Sequence, residues 1–376
     1  MHTFMILMKR LLKVCYSLSI IGLITFVLLE VVLIAWGHFG TLKMELPTYT
    51  FENTQSFWFD LNKYYGTSHL PNHHYRQKKA CYDITYSSNL HGFRDRERMV
   101  EATENRVLVL GDSFMEGVGV DTSKRVSNML ERETNMEHLN FGMAGNFGST
   151  QYMLLYQSFA KKFSHNAIIL SILPANDFID DDYEIGHRGL SNRYRPYLQG
   201  TYPDYTIVYF QDSLYKSSVH TSKLKPLKKL FKNFTYSYNA FLYFKASILQ
   251  SFNPKQKELT YEELPGYFNY TPQQLNRLKF ALQTIRKESV NRPMLAFTIP
   301  SNEDILAYKK IHQNPLKKEL ELFCKQYNIQ YIDLLSYTED LTEEECNALY
   351  LECDGHWSEK GNAWAANIIK TKFEHY

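Results

Sequence analysis

Four short blocks hold the residues of this chain that could do chemistry. Gly111-Asp112-Ser113-Phe114 offers a serine hydroxyl, and Asn140-Phe141-Gly142-Met143-Ala144-Gly145 offers a glycine-bearing turn. Pro174-Ala175-Asn176-Asp177 offers a side-chain amide, and Asp354-Gly355-His356-Trp357 an imidazole with a carboxylate two residues before it. A serine hydroxyl is a poor nucleophile until a base takes its proton, and imidazole is the side chain suited to that exchange near neutral pH. A carboxylate on the other ring nitrogen holds the tautomer and stabilises the cation. When an ester carbonyl is attacked, negative charge grows on its oxygen. The backbone N–H groups of Ser113 and Gly145 and the amide of Asn176 would supply three donors there. Each block alone has a plainer reading, with Gly145 a turn, Asn176 a cap and His356 a surface histidine. Their order along the chain is what gives them weight.

The elements that must position these blocks are strand ends. Residues 107–110 form a short continuous apolar run, the mark of a strand buried on both faces, and it runs directly into Gly111. Further strands are expected at 138–141, 167–173, 294–299 and 330–333, alternating with helices over 149–163, 271–288, a stretch ending near 327, and 363–373. Thr271 and Pro272 suit the N-cap and first position of their helix, and Leu275, Leu278, Leu282 and Ile285 fall on one of its faces. Five buried strands alternating with helices indicate an α/β fold with a parallel sheet covered on both faces. Open sheets of that kind bind ligands outside the carboxyl ends of their strands.

The four blocks, in this order, resemble the SGNH or GDSL-type hydrolase superfamily over about residues 105–376. The resemblance implies a three-layer α/β/α fold with a five-stranded parallel, flavodoxin-like sheet. It implies Ser113 as nucleophile, His356 as base, an oxyanion hole from Ser113, Gly145 and Asn176, and neither cofactor nor metal. One position departs from the pattern. Most of the superfamily has the triad aspartate three residues before the histidine, where this chain has Cys353. The Asp-x-His-Trp form is similar to the membrane-associated branch that includes alginate O-acetyltransferase-type proteins, which implies Asp354 as the orienting carboxylate. Asp112 and Asp177 read as turn residues. The segment from Asn89 to Arg94 resembles a leader of anchored members, with Arg94 as a structural clamp or a substrate contact.

Composition agrees with a folded catalytic domain. The chain has 376 residues, 44% apolar and 22% charged, and its 42 basic against 40 acidic residues leave +2, no polycation for nucleic acid. A mean hydropathy of −0.38 excludes a polytopic membrane protein. The 28 Tyr and 24 Phe would suit stacking on sugars, or reflect compositional bias. Residues 14–36 carry a single charge, Glu30, and at about 1.5 Å per residue span roughly 34 Å, enough for a bilayer core. Lys9, Arg10 and Lys13 precede the run, which by the positive-inside rule keeps the N-terminus cytoplasmic and exports the rest. A cleaved signal peptide is the alternative, but Trp36-Gly37-His38-Phe39 is a poor cleavage site. Glu30 is expected either to mark a partner helix or to lie near the outer interface.

The expected organisation is therefore a cytoplasmic tail (1–13), a transmembrane signal anchor (14–36), an irregular extracytoplasmic leader (41–105) and an SGNH hydrolase domain (106–376) with an insertion at 178–265. Within the insertion, 195–209 reads as a pair of strands and 227–249 as helical. Residues 213–257 carry nine lysines and no acidic residue, which suits an anionic glycan or lipid headgroups, or simply a solvated face. Cys81, Cys324, Cys346 and Cys353 lie on the exported side and allow three pairings, with a small Cys346–Cys353 loop or free buried thiols both open. The function expected is a serine esterase anchored in the cytoplasmic membrane. It would hydrolyse O-acyl, chiefly O-acetyl, esters on a cell-envelope glycan. Passing the acyl group to a sugar hydroxyl, with a membrane acyltransferase as partner, would make it an O-acyltransferase. A non-catalytic glycan-binding protein on the same fold is the reading from another class.

Overall fold

The fold was analysed in a computed structural model that describes residues 2–39, 43–53, 57–58, 60–102, 105–145, 147–186, 194–210, 224–251, 261, 263–290 and 292–373. The apolar runs become one parallel sheet. Its strands are β1 (Arg106–Leu110), β2 (Glu137–Asn140), β3 (Ala167–Ile172), β4 (Met294–Thr298) and β5 (Gln330–Asp333), in the order β2-β1-β3-β4-β5. β1, β3 and β4 are buried along their whole length because helices cover both faces. Val109 pairs with Asn140 on one side and Ile169 on the other, so β1 and β2 end within a residue of each other at the rim and β3 runs two residues further. The chain leaves β1 for β2 on one side and returns to β3 on the other. Ser113 follows β1 at that switch point, where such sheets open a crevice.

The helices follow their local signals, with two breaks that the sequence reading did not anticipate. Pro272–Glu288 starts with Thr271 as N-cap, its hydroxyl and the Gln274 side chain bonding each other's backbone N–H, and it buries Leu275, Leu278, Ala281, Leu282 and Ile285. The stretch ending near 327 is two helices, Asn302–Ile311 and Pro315–Gln326, separated where His312 turns left-handed at φ 53° and Pro315 opens the second. Likewise 227–249 is two helices, Lys225–Phe234 and Tyr236–Ser251, split at Thr235, which is extended. Helix Ser149–Ser158 stops short of 163 and a 3₁₀ turn, Ala160–Lys162, completes it. The expected strand pair is the antiparallel hairpin Arg195–Thr201 and Asp204–Phe210. Four of the nine lysines in 213–257 lie outside the described residues.

The leader is not irregular. It holds a hairpin, His74–Lys79 against Tyr82–Ser87, and a short pair, Asp60–Asn62 against Gly66–Ser68. Phe57, Tyr75 and Tyr86 form a small core of their own beneath the hairpin. The strand His74–Lys79 is polar along most of its length, so the alternation that buries Tyr75 and Gln77 is not visible as an apolar pattern. At the N-terminus one helix runs His2–Phe39, longer than the expected span at both ends, and from Phe4 it is long and apolar enough to cross a membrane.

Two glycines let the turn after β1 sit close to its neighbours. A Cβ on Gly142 would lie 2.5 Å from the Glu116 backbone nitrogen, and one on Gly111 2.1 Å from Ser171 Oγ. Gly142→Ala therefore forces two backbone segments apart, and a loss of roughly 1–3 kcal/mol of unfolding free energy is expected in denaturant titration. Unchanged stability would show that the turn has room to shift.

Candidate active site

Ser113 opens a single helical turn, Ser113–Glu116, at the end of β1. Asp112 caps it, with Oδ1 accepting the Phe114 N–H at 3.0 Å, and Gly117 closes it at φ 81°, a left-handed position that favours glycine. The chain thus reverses tightly and holds the Ser113 side chain at the rim. His356 Nε2 lies 2.8 Å from Ser113 Oγ, and its Nδ1 is hydrogen-bonded to Asp354 Oδ1. Phe114 packs against the rings of His356 and Trp357, with centroids 5.1 Å away in each case, and so fixes the plane of the imidazole.

Asp354 has two further donors. The Tyr82 hydroxyl lies 3.1 Å from Oδ2, and the Lys79 ammonium is bonded to the same oxygen. Burial works against the charge of Asp354, but the hydrogen bond and charge of His356, with Lys79 behind them, hold its carboxyl well below the usual carboxylate range. Gly145, after β2 at φ 107°, and Asn176, in the first turn of helix Pro174–Asp180 after β3, line the same cleft of about 590 Å³ as Ser113 and His356. All five sequence-derived positions therefore meet at one rim. The other two carboxylates take turn positions. Asp177 accepts the Leu173 N–H at 3.1 Å and the Tyr152 hydroxyl at 2.8 Å, while Asp112 caps its turn.

Several residues around this site were not found from sequence. Lys79 and Tyr82 come from the leader hairpin, and nothing in their spacing points to Asp354. Glu116 is fully buried. Its Oε2 lies 2.8 Å from His69 Nε2 and also accepts the Ala144 N–H, tying the turn of Ser113 to the turn that carries Gly145. Burial, the largest single influence, opposes that charge too, yet His69, the Ala144 N–H and Arg94 together keep the Glu116 carboxyl below its ordinary value. Arg94, by contrast, was read from sequence as a clamp or a substrate contact; it is buried, and its guanidinium donates to the Gly117 and Val120 carbonyls, so it clamps the loop after the Ser113 turn.

The cysteine pairing also differs from the small loop considered above. Cys81 is bonded to Cys353, while Cys324 and Cys346 are free and buried. Cys346 sits inside helix Glu343–Ala348 against the main core, whereas Cys353 lies in the turn that faces the hairpin. The disulfide thus joins the hairpin that supplies Lys79 and Tyr82 to the loop that supplies Asp354.

Two outcomes follow from this geometry. Cys353→Ser removes a crosslink across 272 positions and is expected to cost roughly 2–5 kcal/mol of stability, read from thermal unfolding. Its effect on rate should be milder than that of removing the Asp354 carboxylate, because the hairpin keeps its other contacts. The second outcome concerns pH. The Asp112 carboxyl is buried, one of its oxygens has no hydrogen-bond partner among the described residues, and burial pushes it up to about 6. A carboxyl raised in the folded state takes up its proton more readily there than in the unfolded chain. The contribution of Asp112 to stability therefore falls as pH rises from about 4 to about 6, by up to about 3 kcal/mol, and is flat above. Asp112→Asn keeps the cap acceptor and removes that slope. The variant should gain on the parent at pH 7 and lose the advantage near pH 4, in urea unfolding at both. Parallel curves would clear Asp112 of the effect.

No protein-family profile matches the chain, and no curated protein matches it in sequence. Among solved structures it is similar to a member of the lipolytic protein G-D-S-L family from Veillonella parvula, at 11% identity and a TM-score of 0.36, over 72% of this chain and 99% of that one. It is similar to a lipase/acylhydrolase from Enterococcus faecalis, at 10% identity and 0.35, over 71% and 96%. It is also similar to a GDSL-like lipase from Bacteroides thetaiotaomicron, at 11% identity and 0.33, over 72% and 88%. Two of these three are described as of G-D-S-L type and the third as a lipase/acylhydrolase.

Proposed function

We propose that this chain is a serine esterase of SGNH type, anchored by its N-terminal helix, with the catalytic domain outside the cytoplasmic membrane. The observation that carries the reading is the unbroken Asp354–His356–Ser113 hydrogen-bonded chain, with Nε2 2.8 Å from the hydroxyl it would deprotonate. In the reaction His356 takes the Ser113 proton as Oγ bonds to the ester carbon. The oxyanion gathers the N–H groups of Ser113 and Gly145 and the amide of Asn176. His356 then returns the proton to the departing alcohol, leaving an acyl-serine, and a water activated the same way releases the acid.

For the substrate, we infer an O-acyl ester, O-acetyl first, on a cell-envelope glycan. Trp58, Tyr75 and Tyr82 line the cleft with Ser113, and such rings suit the apolar faces of sugars. Transfer to a sugar hydroxyl, with a membrane acyltransferase feeding the site, uses the same acyl-enzyme and differs in the acceptor alone. A binding protein without catalysis would have no need of a base held 2.8 Å from the serine.

The test is covalent labelling. The full chain in detergent should react with a fluorophosphonate probe, and Ser113→Ala should abolish the label. Asp354→Asn should fold normally by circular dichroism but acylate slower by roughly 10⁴, since an amide cannot stabilise the imidazolium. Equal labelling of the alanine variant would remove Ser113 from the mechanism.

A further inference from the structure

The carboxylate inside the apolar N-terminal run does not stand alone. Glu30 Oε2 accepts the Tyr236 N–H at 2.8 Å, and Oε1 accepts the Ser237 N–H at 2.9 Å. These are the first N–H groups of helix Tyr236–Ser251, where unpaired donors and the positive end of the helix dipole favour an anion. Around this contact Leu33 is buried with Met44, Leu46, Tyr236 and Ala240, and the Trp36 ring lies 6.3 Å from that of Phe244. Gly37 permits the approach, since a Cβ there would lie 3.2 Å from the Tyr236 ring. The last turns of the apolar helix therefore carry a second helix along their side.

That second helix turns a large apolar surface outward. Phe241 is 57% exposed and Ile248 53%, with Leu242 and Phe244 beside them. The preceding helix, Lys225–Phe234, adds exposed Leu227 and Leu230 at a spacing of one turn, with Lys228 exposed between them. An apolar patch of this extent is unusual on a surface that faces water. It is continuous with the flank of the apolar N-terminal helix, and the sequence from 213 to 257 holds no acidic residue that an anionic surface would repel.

We propose that helices Lys225–Phe234 and Tyr236–Ser251 lie in the outer interface of the membrane that the N-terminal helix spans, and that the lipid leaflet covers their apolar faces. The proposal rests on reading 14–36 as a membrane span. Lys232, on the inner side of the first of these helices, bonds Glu45 at 2.6 Å and Tyr75 at 3.1 Å, and all three line the cleft of Ser113. The cleft thus opens beside the leaflet, and its substrate is an ester held at the membrane surface rather than one free in solution.

The test uses the full chain reconstituted into vesicles of phosphatidylcholine and phosphatidylglycerol. In a Cys15→Ser background, Phe241→Cys and Ile248→Cys are each labelled with an environment-sensitive fluorophore, and Leu322→Cys, on helix Pro315–Gln326, serves as the water-facing control. Cys324 and Cys346 are buried and stay unlabelled. Labels at 241 and 248 should shift to the blue and be quenched by nitroxide lipids, while the label at 322 should do neither. If 241 and 248 behave like 322, the proposal is overturned. The parent labelled at Cys15 reports separately on the span itself: quenching there with none at 241 and 248 overturns the interfacial helices alone, and no quenching at Cys15 overturns both. A second measurement reads substrate access. In Phe241→Asp with Ile248→Asp, the rate on a vesicle-borne ester divided by that on a soluble aryl ester should fall several-fold. An unchanged ratio would overturn the membrane-held substrate.

Discussion

One carboxylate joins two distant parts of this chain. Asp354 accepts from His356, from Tyr82 and from Lys79, the last two being 272 and 275 residues away in sequence. A buried negative charge with unmatched lone pairs would take up a proton instead of orienting an imidazole. Here three donors reach it, one on Oδ1 and two on Oδ2, and the hairpin that brings two of them must therefore be in place before Asp354 is fully partnered. Lys79 also carries a cost. Its positive charge competes with a forming imidazolium for the same carboxylate, so part of the stabilisation Asp354 could give His356 is already committed. What remains in full is orientation, since Oδ1 serves the ring while Oδ2 serves the hairpin.

A second buried network fixes the opposite side of the Ser113 turn. Arg94 stacks over the Tyr86 ring at 4.3 Å and donates to the carbonyls that close the turn, and Arg125 reaches Asp95 at 3.1 Å. Asp95 in turn accepts the Asn140 N–H at the end of β2, also at 3.1 Å. Burial pushes the Arg125 guanidinium down to about 10, a sign of how dry the cluster is. Charges in such a place return little net stability over apolar packing, yet loss of any one strands its partners. Their contribution is to geometry. Residues of the leader thereby set the distance between the turns that carry Ser113 and Gly145.

The division between what was legible in the sequence and what was not follows the range of the interactions. β1, β3 and β4 announce themselves because burial on both faces demands an unbroken apolar run, and helix Pro272–Glu288 because Thr271, Pro272 and its apolar face are local signals. The site blocks were legible because a parallel sheet collects the loops after its strands on one rim, so order along the chain becomes proximity in space. The leader hairpin was not, since its inward residues are Tyr75, Gln77, Tyr82 and Tyr86, and their burial depends on partners far along the chain. The Cys81–Cys353 pairing was hidden for the same reason: four thiols allow three pairings, and the hairpin's position alone selects one. Glu30 was half legible, as a charge that needed a partner, but the partner lies 206 residues away.

These long-range contacts are continuous with one another. From Lys232 the hydrogen bonds pass to Glu45, from Glu45 to Gln77 at 2.8 Å, from Gln77 to Tyr82 at 3.0 Å, and from Tyr82 to Asp354. Tyr82 has one hydroxyl proton and two acceptors, Gln77 Oε1 and Asp354 Oδ2, and it cannot serve both at once. Burial, with the neighbouring Tyr86 and Asp354, pushes its phenol well above the ordinary value, so the proton stays on Tyr82 and the choice is one of direction. Gln77 Oε1 has a second donor in Tyr86, at 3.2 Å, and does not need Tyr82. Asp354 carries the greater charge and draws the hydroxyl toward the triad. The polar wall of the cleft is thus ordered from both ends, by the charge of Asp354 at the serine and by the Glu45–Lys232 pair at the inserted helix. The same residues that connect the insertion to the leader determine which way the last donor before the triad points.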